Sequence, residues 1–340
     1  MVLNWIVQNW HERFNLMVSK ITGSNTKNSQ GKLNTMEKAS ILHLFTSAKN
    51  ASPFDVNMAF DAGFDKVASC TNVELSEVTA LTQDAIFSRG LSGVKREGIF
   101  IGGRDIDLAM QMLEMSKKAM FSPFACSVFA DPSGAFTTAA AMIAKVEFHL
   151  GSQLKETLSG KVVSVFGATG PVGSCVAIIA AQQGAFVQLV AHKSVAEVQE
   201  KANVWNEKYK IEMQVVDGTT DEKKLNILTK TEIAICAAAA GVQVLSAEHL
   251  AHAQQLKIVA DVNAVAPLGA QGVGVSDDGV LIADTKIVGI GALAIGQLKY
   301  TTQHQLLKQM LPSDQPFEKP KYLEFMAAYK LARELLKSQS

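Results

Sequence analysis

Lys161-Val-Val-Ser-Val-Phe-Gly167-Ala168-Thr169-Gly170-Pro171-Val172-Gly173, followed by the apolar run Val176 to Ala181, is the stretch whose reading decides the fold. An apolar strand enters a tight turn at Gly167, Gly170 lets backbone come close to a diphosphate, and Gly173 lets the next helix sit against the strand. Pro171 suits the first helical position, where its fixed φ matches and its missing N–H would have no partner anyway. A helix N-terminus is thereby placed under the phosphates of a dinucleotide. The spacing is GxxGxxG rather than GxGxxG, so the glycines gain weight from the strand before, the helix after and a second strand at Phe186 to Val190.

That second strand ends Val190-Ala191-His192-Lys193-Ser194. An NAD-selective site usually places Asp or Glu here to accept from the ribose 2′-hydroxyl, and none is present. His192, Lys193 and Ser194 are candidates to contact a 2′-phosphate instead, so NADP is at least tolerated. The ordinary alternative is that Lys193 is a solvated loop residue.

Outward from this unit, short apolar runs alternate with segments of helical period. Ile41 to Phe45 leads into Phe54 to Ala62, Lys66 to Cys70 into Leu75 to Ser88, Gly98 to Ile101 into Ile106 to Lys118, and Ser127 to Ala130 into Thr137 to Leu150. Four such βα units predict a parallel sheet covered by helices. A second strand series runs from Val162 to Phe166 through Phe186 to Val190, Ile211 to Val216, Ile233 to Cys236, Ile258 to Asp261, Val280 to Ile282 and Ile287 to Val288. The expected class is α/β with two domains: residues 36–155 as one parallel-sheet domain and 156–291 as a Rossmann-type dinucleotide-binding domain. Residues 292–340 turn helical again with no local strands to cover, so they are expected to pack back on the first domain. Residues 1–35 hold Trp5, Trp10 and a polar Asn/Ser/Gly/Lys stretch, and read as a flexible extension rather than an amphipathic surface helix.

With 48% hydrophobic and 19% charged residues, disorder and fibrous folds are disfavoured. Lys+Arg and Asp+Glu are equal at 32 each, leaving no net field to hold nucleic acid or an acidic membrane. No run reaches the length of a membrane span. Cys70, Cys126, Cys175 and Cys236 are widely separated, without CxxC or metal-ligand spacing, the pattern of a reducing compartment, and no metal site is expected. GxSxG, HExxH and the P-loop signature are missing, which removes hydrolase and kinase readings. None of Tyr209, Tyr300, Tyr322 and Tyr329 has a lysine four residues later, so no YxxxK acid/base pair exists. Hydride transfer needs no such pair when a nitrogen lone pair beside the donor carbon stabilises the developing cation; the protein then supplies orientation and a dry cleft.

Six blocks in order carry a more specific signal: Ser52-Pro-Phe-Asp55-Val-Asn57-Met-Ala, Leu81-Thr-Gln-Asp84-Ala-Ile-Phe-Ser-Arg89, Phe129-Ala-Asp131-Pro-Ser-Gly134-Ala-Phe-Thr137-Thr138-Ala-Ala, the glycine loop, Asp261-Val-Asn263-Ala-Val-Ala-Pro267-Leu-Gly269 and Gly289-Ile-Gly-Ala-Leu-Ala-Ile-Gly296-Gln-Leu-Lys299-Tyr. Together they closely resemble the NAD(P)-dependent methylene-tetrahydromethanopterin dehydrogenases of methylotrophic bacteria, over about Met36 to Arg333. The resemblance implies oxidation of methylene- to methenyl-tetrahydromethanopterin with reduction of NAD or NADP, in cytoplasmic formaldehyde oxidation. It also implies an oligomeric enzyme with a pterin cleft between two domains, akin to the bifunctional methylene-tetrahydrofolate dehydrogenase/cyclohydrolases. The Tyr/Lys pair those relatives use for cyclohydrolysis is absent, so dehydrogenase activity alone is expected. A strictly NADP-dependent relative has Arg where this chain has His192 beside Lys193, which favours use of both cofactors.

The blocks also place candidate site residues. Asp131, Thr137 and Thr138 belong to a strand-end loop entering a helix, and Asp55 and Asn57 follow the first strand on the same edge. Lys299 is the candidate charged group near the pterin, while Asn263 and Pro267 follow a strand where the nicotinamide ring usually lies. Each has a structural alternative: a helix-capping Asp131 or Asp55, backbone-bonded threonines, a solvated Lys299. His149, His249 and His252 and the Met112, Met115 and Met120 group read as structural. Two rival functions remain at this point, a methylene-tetrahydrofolate dehydrogenase and a nucleotide-binding regulator without turnover.

Overall fold

The computed structural model describes residues 39–312 and 319–338. The extension expected over residues 1–35 lies outside the described residues.

The first βα series folds as the alternation predicts. Strand β1 (Ile41–Phe45) leads to helix α1 (Pro53–Ala62), β2 (Lys66–Cys70) to α2 (Val78–Phe87), β3 (Glu97–Ile101) to α3 (Ile106–Ala119), and β4 (Ser127–Ala130) to α4 (Ala135–His149). Ser52 caps α1 with Pro53 in its first turn, and Asp105 caps α3 by accepting from Asp107 and Leu108 backbone N–H groups. The second series is β5 (Val162–Phe166), α5 (Pro171–Gln182), β6 (Phe186–Ala191), α6 (Val195–Tyr209), β7 (Met213–Asp217), α7 (Asp221–Leu228), β8 (Ile233–Cys236), α8 (Ala247–His252), β9 (Ile258–Asp261), β10 (Asp278–Leu281) and β11 (Val288–Ile290). Helices α9 (Ala292–Lys308) and α10 (Phe325–Lys337) follow, with the two-residue strand β12 (Tyr322–Leu323) between them.

The strands form two sheets within one compact unit. The first has order β12-β4-β3-β1-β2 and is parallel throughout. The second, β10-β11-β9-β8-β5-β6-β7, is parallel except that β10 runs antiparallel to β11. Chain order reverses between β5 and β8, the switch point beside which open α/β sheets bind their ligands.

Helix α4 joins the two halves. Ala135 to Val146 is buried at every position but Thr138, so this apolar helix meets protein on all sides. It packs against α5, α9 and α10, and the expected return of the C-terminal helices onto the first sheet is thereby realised. The far end of α4 is tied to β10: Lys145 Nζ donates to Asp278 Oδ2 at 2.7 Å and His149 Nε2 lies 2.9 Å from Asp278 Oδ1. A second tie joins α6 to α3, with Trp205 Nε1 donating to Asp107 at 3.2 Å. The fifth strand of the first sheet, β12, was not anticipated; two residues carry no periodicity, and pairing with Val128 and Phe129 alone makes them a strand.

Candidate active site

Beyond the C-terminal ends of β1, β3 and β4 lies a cavity of about 720 Å³, within the range of small-molecule sites. Thr46 and residues 48–55 form one wall after β1, Gly102, Gly103 and Arg104 a second after β3, and Ser133 and Gly134 a third after β4. Lys299, from α9, closes it. The turn after β4 is tight: Ser133 and Gly134 are both left-handed, at φ 53° and 66°. A Cβ at Gly134 would stand 3.0 Å from Lys299 Cε, so glycine there also makes room for the lysine stem.

Two carboxylates belong to this region: Asp55 lines the cavity, and Asp131 is buried two residues before its Ser133–Gly134 wall. Asp131 is fully buried and accepts from the Phe136 and Thr137 backbone N–H groups at 2.9 and 3.1 Å and from the Thr137 hydroxyl at 2.6 Å. Asp55 is 5% exposed and accepts from Gln303 Nε2 at 3.0 Å. Burial, with the neighbouring Asp131 charge adding to it, pushes Asp55 up to about 6 from the usual 3.8, against the opposing pull of Gln303 and Lys299. Burial likewise raises Asp131, although Lys299 and its three donors pull the other way. Lys299 is lowered by desolvation, and the two carboxylates hold it up in part. Its ammonium donates to Gln303 Oε1 at 2.5 Å and sits 3.8 Å from the Phe54 ring centroid, a cation–π contact. Gln303 is completely buried and therefore bridges Lys299 to Asp55 with both ends of its amide.

The glycine loop forms at the C-terminal end of β5. Gly167 has φ +79°, and a side chain on it would run into the Ala237 carbonyl after β8. A side chain on Gly173 would meet the Gly167 carbonyl. At Gly170 the backbone is extended, at φ −75° and ψ 162°, and the nearest atom to an added Cβ is 3.3 Å away. The chain's own packing thus demands glycine at 167 and 173, whereas at 170 an added Cβ would meet the Gly167 carbonyl in a tight contact that a small backbone shift relieves. Pro171 occupies the first turn of α5, whose N-cap has no side-chain bond, so its leading N–H groups are free to meet an anion. Burial first and then the Asp131 charge raise the thiol of Cys175, in the second turn of α5.

The sequence profile described as methylene-tetrahydromethanopterin dehydrogenase, N-terminal, matches residues 53–133, the span from α1 to the Asp131 turn. A protein of Methylorubrum extorquens AM1 named NAD(P)-dependent methylenetetrahydromethanopterin dehydrogenase is 43% identical over 87% of this chain and 98% of its own length. The chain belongs to the methylene-tetrahydromethanopterin dehydrogenase family. A second protein of that organism, named bifunctional protein MdtA, is 30% identical over 87% of this chain and 98% of its own. Among solved structures, shikimate 5-dehydrogenase of Listeria monocytogenes is 14% identical with a TM-score of 0.47, covering 92% of this chain and 100% of that one. Ornithine carbamoyltransferase of Pyrococcus furiosus is 11% identical with a TM-score of 0.48, covering 81% and 85%. At those TM-scores neither likeness bears on function.

In this member of the methylene-tetrahydromethanopterin dehydrogenase family, Asp55, Asp131 and Lys299 converge as the sequence placed them. Thr137 has no exposed surface and acts through Asp131, while the Thr138 hydroxyl donates to the Gly134 carbonyl at 2.6 Å. Asn57 is exposed on α1 and does not line the cavity. Ala168 is buried in the glycine turn, and Thr169 and Val172 are half-buried beside it. His192 and Lys193 are exposed after β6, and Ser194 caps α6 by accepting from the Glu197 backbone N–H at 3.2 Å. Asn263 accepts from the Gly241 and Val265 backbone N–H groups and donates to the Pro267 carbonyl, so its amide braces the loop after β9. Gln303, Phe54, Lys49 and Arg104 also belong to the site, and the sequence reading had not singled them out. A helical i, i+4 relation of Gln303 to Lys299 was the one available signal.

The raised Asp55 group makes a signed prediction. In the folded state it binds a proton more tightly than when unfolded, so its burial costs nothing below about pH 3.8 and costs stability as pH rises through about 6. Asp55→Asn is therefore expected to gain on the order of 3 kcal/mol in unfolding free energy at pH 8, with the gain shrinking between about pH 6 and pH 4. Denaturant titrations at pH 8 and pH 4 check it; an equal or larger gain at pH 4 would contradict it.

Proposed function

We propose that this chain oxidises methylene-tetrahydromethanopterin to methenyl-tetrahydromethanopterin by hydride transfer to NAD or NADP, in one-carbon (formaldehyde) oxidation, without cyclohydrolase activity. The single observation that carries the reading is the 43% identity, over 87% of the chain, to a family relative that bears that enzyme's name; the cavity lined by Asp55 and Lys299 and the glycine loop agree with it. The portion built on the first sheet, residues 36–155 with 292–340, takes the pterin, and residues 156–291 take the dinucleotide.

The reacting carbon lies between two nitrogens. Loss of a hydride leaves a cation shared over N–C–N, and no proton has to move, so the lack of an acid/base dyad is compatible with turnover. NAD or NADP, when bound, supplies the hydride acceptor. Gly170 and the open N-terminus of α5 would hold its diphosphate, with Gly167, Ala168, Thr169, Pro171, Val172 and Gly173 shaping the turn. His192, Lys193 and Ser194 would lie along the adenosine ribose, and the Asn263–Pro267 loop along the nicotinamide.

On the pterin side, positive charge grows above the Asp55 and Asp131 carboxylates, which are already oriented by Gln303 and Thr137 and need no rearrangement to stabilise it. Lys299 retains donors after its bond to Gln303, and it lines the cavity, so it orients a polar edge of the substrate. Phe54 offers an aromatic face on the same wall.

We further propose a cytoplasmic homo-oligomer. All four thiols are free, and no helix among the described residues is long and apolar enough to cross a membrane. Val280 and Leu281 on the edge strand β10 are 50% and 60% exposed, an apolar edge suited to a second copy.

The deciding experiment is the initial rate at 340 nm with methylene-tetrahydromethanopterin and either NAD or NADP, with methylene-tetrahydrofolate in parallel. Turnover of the methanopterin form with both cofactors is expected; folded protein that binds NADP yet transfers no hydride from either pterin would overturn the reading. The rate should fall as pH drops below about 6, because protonating Asp55 removes charge from beneath the growing cation. Lys299→Met should lower kcat by about a hundredfold while NADP affinity stays unchanged. The three glycines should separate: Gly167→Ala and Gly173→Ala lose about 2–3 kcal/mol of stability, whereas Gly170→Ala loses less than about 1 kcal/mol but binds NADP about tenfold more weakly. Urea unfolding and calorimetric titration read the two effects independently.

A further inference from the structure

The end of β6 carries no acid, but the neighbouring strand does. Ala191 and Asp217 are register partners, and the Gly218 N–H donates to the Ala191 carbonyl at 2.9 Å, so the chain leaves β6 and β7 at the same level. Adjacent strands are about 4.8 Å apart, which puts Asp217 one strand away from the His192–Lys193 turn. The Asp217 carboxylate is not free. Its Oδ1 accepts from the Thr219 N–H at 3.0 Å and hydroxyl at 2.6 Å, and its Oδ2 accepts from Lys223 Nζ at 2.6 Å. Lys223 also donates to the Thr219 hydroxyl at 3.2 Å, closing a three-residue ring.

We propose that the Asp217–Lys223 pair is a specificity determinant for the adenosine end of the cofactor, in which Lys223 offsets a carboxylate that would otherwise repel a 2′-phosphate. This rests on the dinucleotide reading of the glycine loop and specifies how that site discriminates. The other charges at this edge include Lys193, Glu197 in the first turn of α6, and Asp221 and Glu222 in the first turn of α7, of which Asp221 is paired with Lys224. With the pair intact Asp217 adds no net charge, Lys193 attracts the phosphate, and both cofactors are accepted. The bond to Lys223 is the chief cause that holds the carboxylate down to about 2, and an aspartate at its ordinary value is still ionised at neutral pH, so loss of Lys223 exposes a full negative charge. Asp217 and Lys223 have side chains 39% and 48% exposed, so solvent weakens the effect and salt screens it.

The test is calorimetric titration of the full-length protein with NADP and with NAD, which needs no turnover. At low salt Lys223→Met is expected to weaken NADP about three- to tenfold and leave NAD unchanged, the size expected of one unpaired charge about 6 Å from a phosphate in a watery setting. Asp217→Asn is expected to tighten NADP by a similar factor, the double variant to return near the wild-type ratio, and about 0.5 M salt to flatten all differences. Thermal unfolding of each variant controls for folding. An unchanged NADP to NAD affinity ratio in both single variants, or equal loss of both cofactors, would overturn the proposal. Wild-type protein that binds the cofactors without hydride transfer would sink the dehydrogenase reading and leave this one standing; wild-type protein that binds neither would sink both.

Discussion

Helix α4 is the constraint on which the rest of the molecule depends. Its residues from Ala135 to Val146 are apolar on nearly every face, so it cannot lie on a surface and must be wrapped by α5, α9 and α10. Its first turn follows directly on the Asp131 turn after β4, and α5 begins at the glycine loop after β5. Packing one helix on the other therefore ties the first sheet to the second. The same burial draws α9 across from the end of β11, which delivers Lys299 and Gln303 to Asp55 over a sequence separation of 248 residues. Site assembly here is a consequence of covering one hydrophobic rod.

That geometry has an electrostatic consequence. Placing Asp55 and Asp131 in this region opposes folding, since burial and mutual repulsion both favour their neutral forms. The chain limits this by hydrogen-bonding each carboxylate and by bringing one ammonium, Lys299, within reach of both. It does not remove it: an amide at position 55 would fold more favourably at neutral pH. Asp55 raises the energy of the fold while lining the cavity, which is what the proposed cationic product calls for. By contrast, the buried Glu97 in β3 is held by Arg89 at 2.6 Å and His43 at 2.8 Å and does not line this cavity.

Much of this could be read before any coordinates. The strand series was legible because parallel strands buried on both faces read as apolar runs, and only edges moved, as where β7 starts at Met213 rather than Ile211. Asp55, Asp131 and Lys299 were legible through sequence blocks rather than through periodicity. What sequence could not supply is contact across long separations. Gln303 is an ordinary helical residue until α9 docks, Arg104 is an ordinary loop cation until β3 ends beside β1, and β12 exists only by pairing with β4. The threonines show the converse: their polarity was visible, but their hydroxyls are spent on Asp131 and the Gly134 carbonyl.

The cofactor edge follows the same logic of neighbouring elements. Reading a single strand end for an acid treats cofactor choice as a property of four residues, Ala191 to Ser194. In the sheet, that end is flanked by β7, so in the proposed binding mode the charge at the end of β7 acts on the same ribose. Asp217 sits there with its charge tied to Lys223, and both belong to a segment that no dinucleotide fingerprint includes. In that proposal Lys223, in the first turn of α7, sets whether the edge is acidic or neutral. Since an exposed pair at this range changes energies by amounts comparable to RT, the proposed arrangement would grade the two cofactors against each other instead of excluding either one.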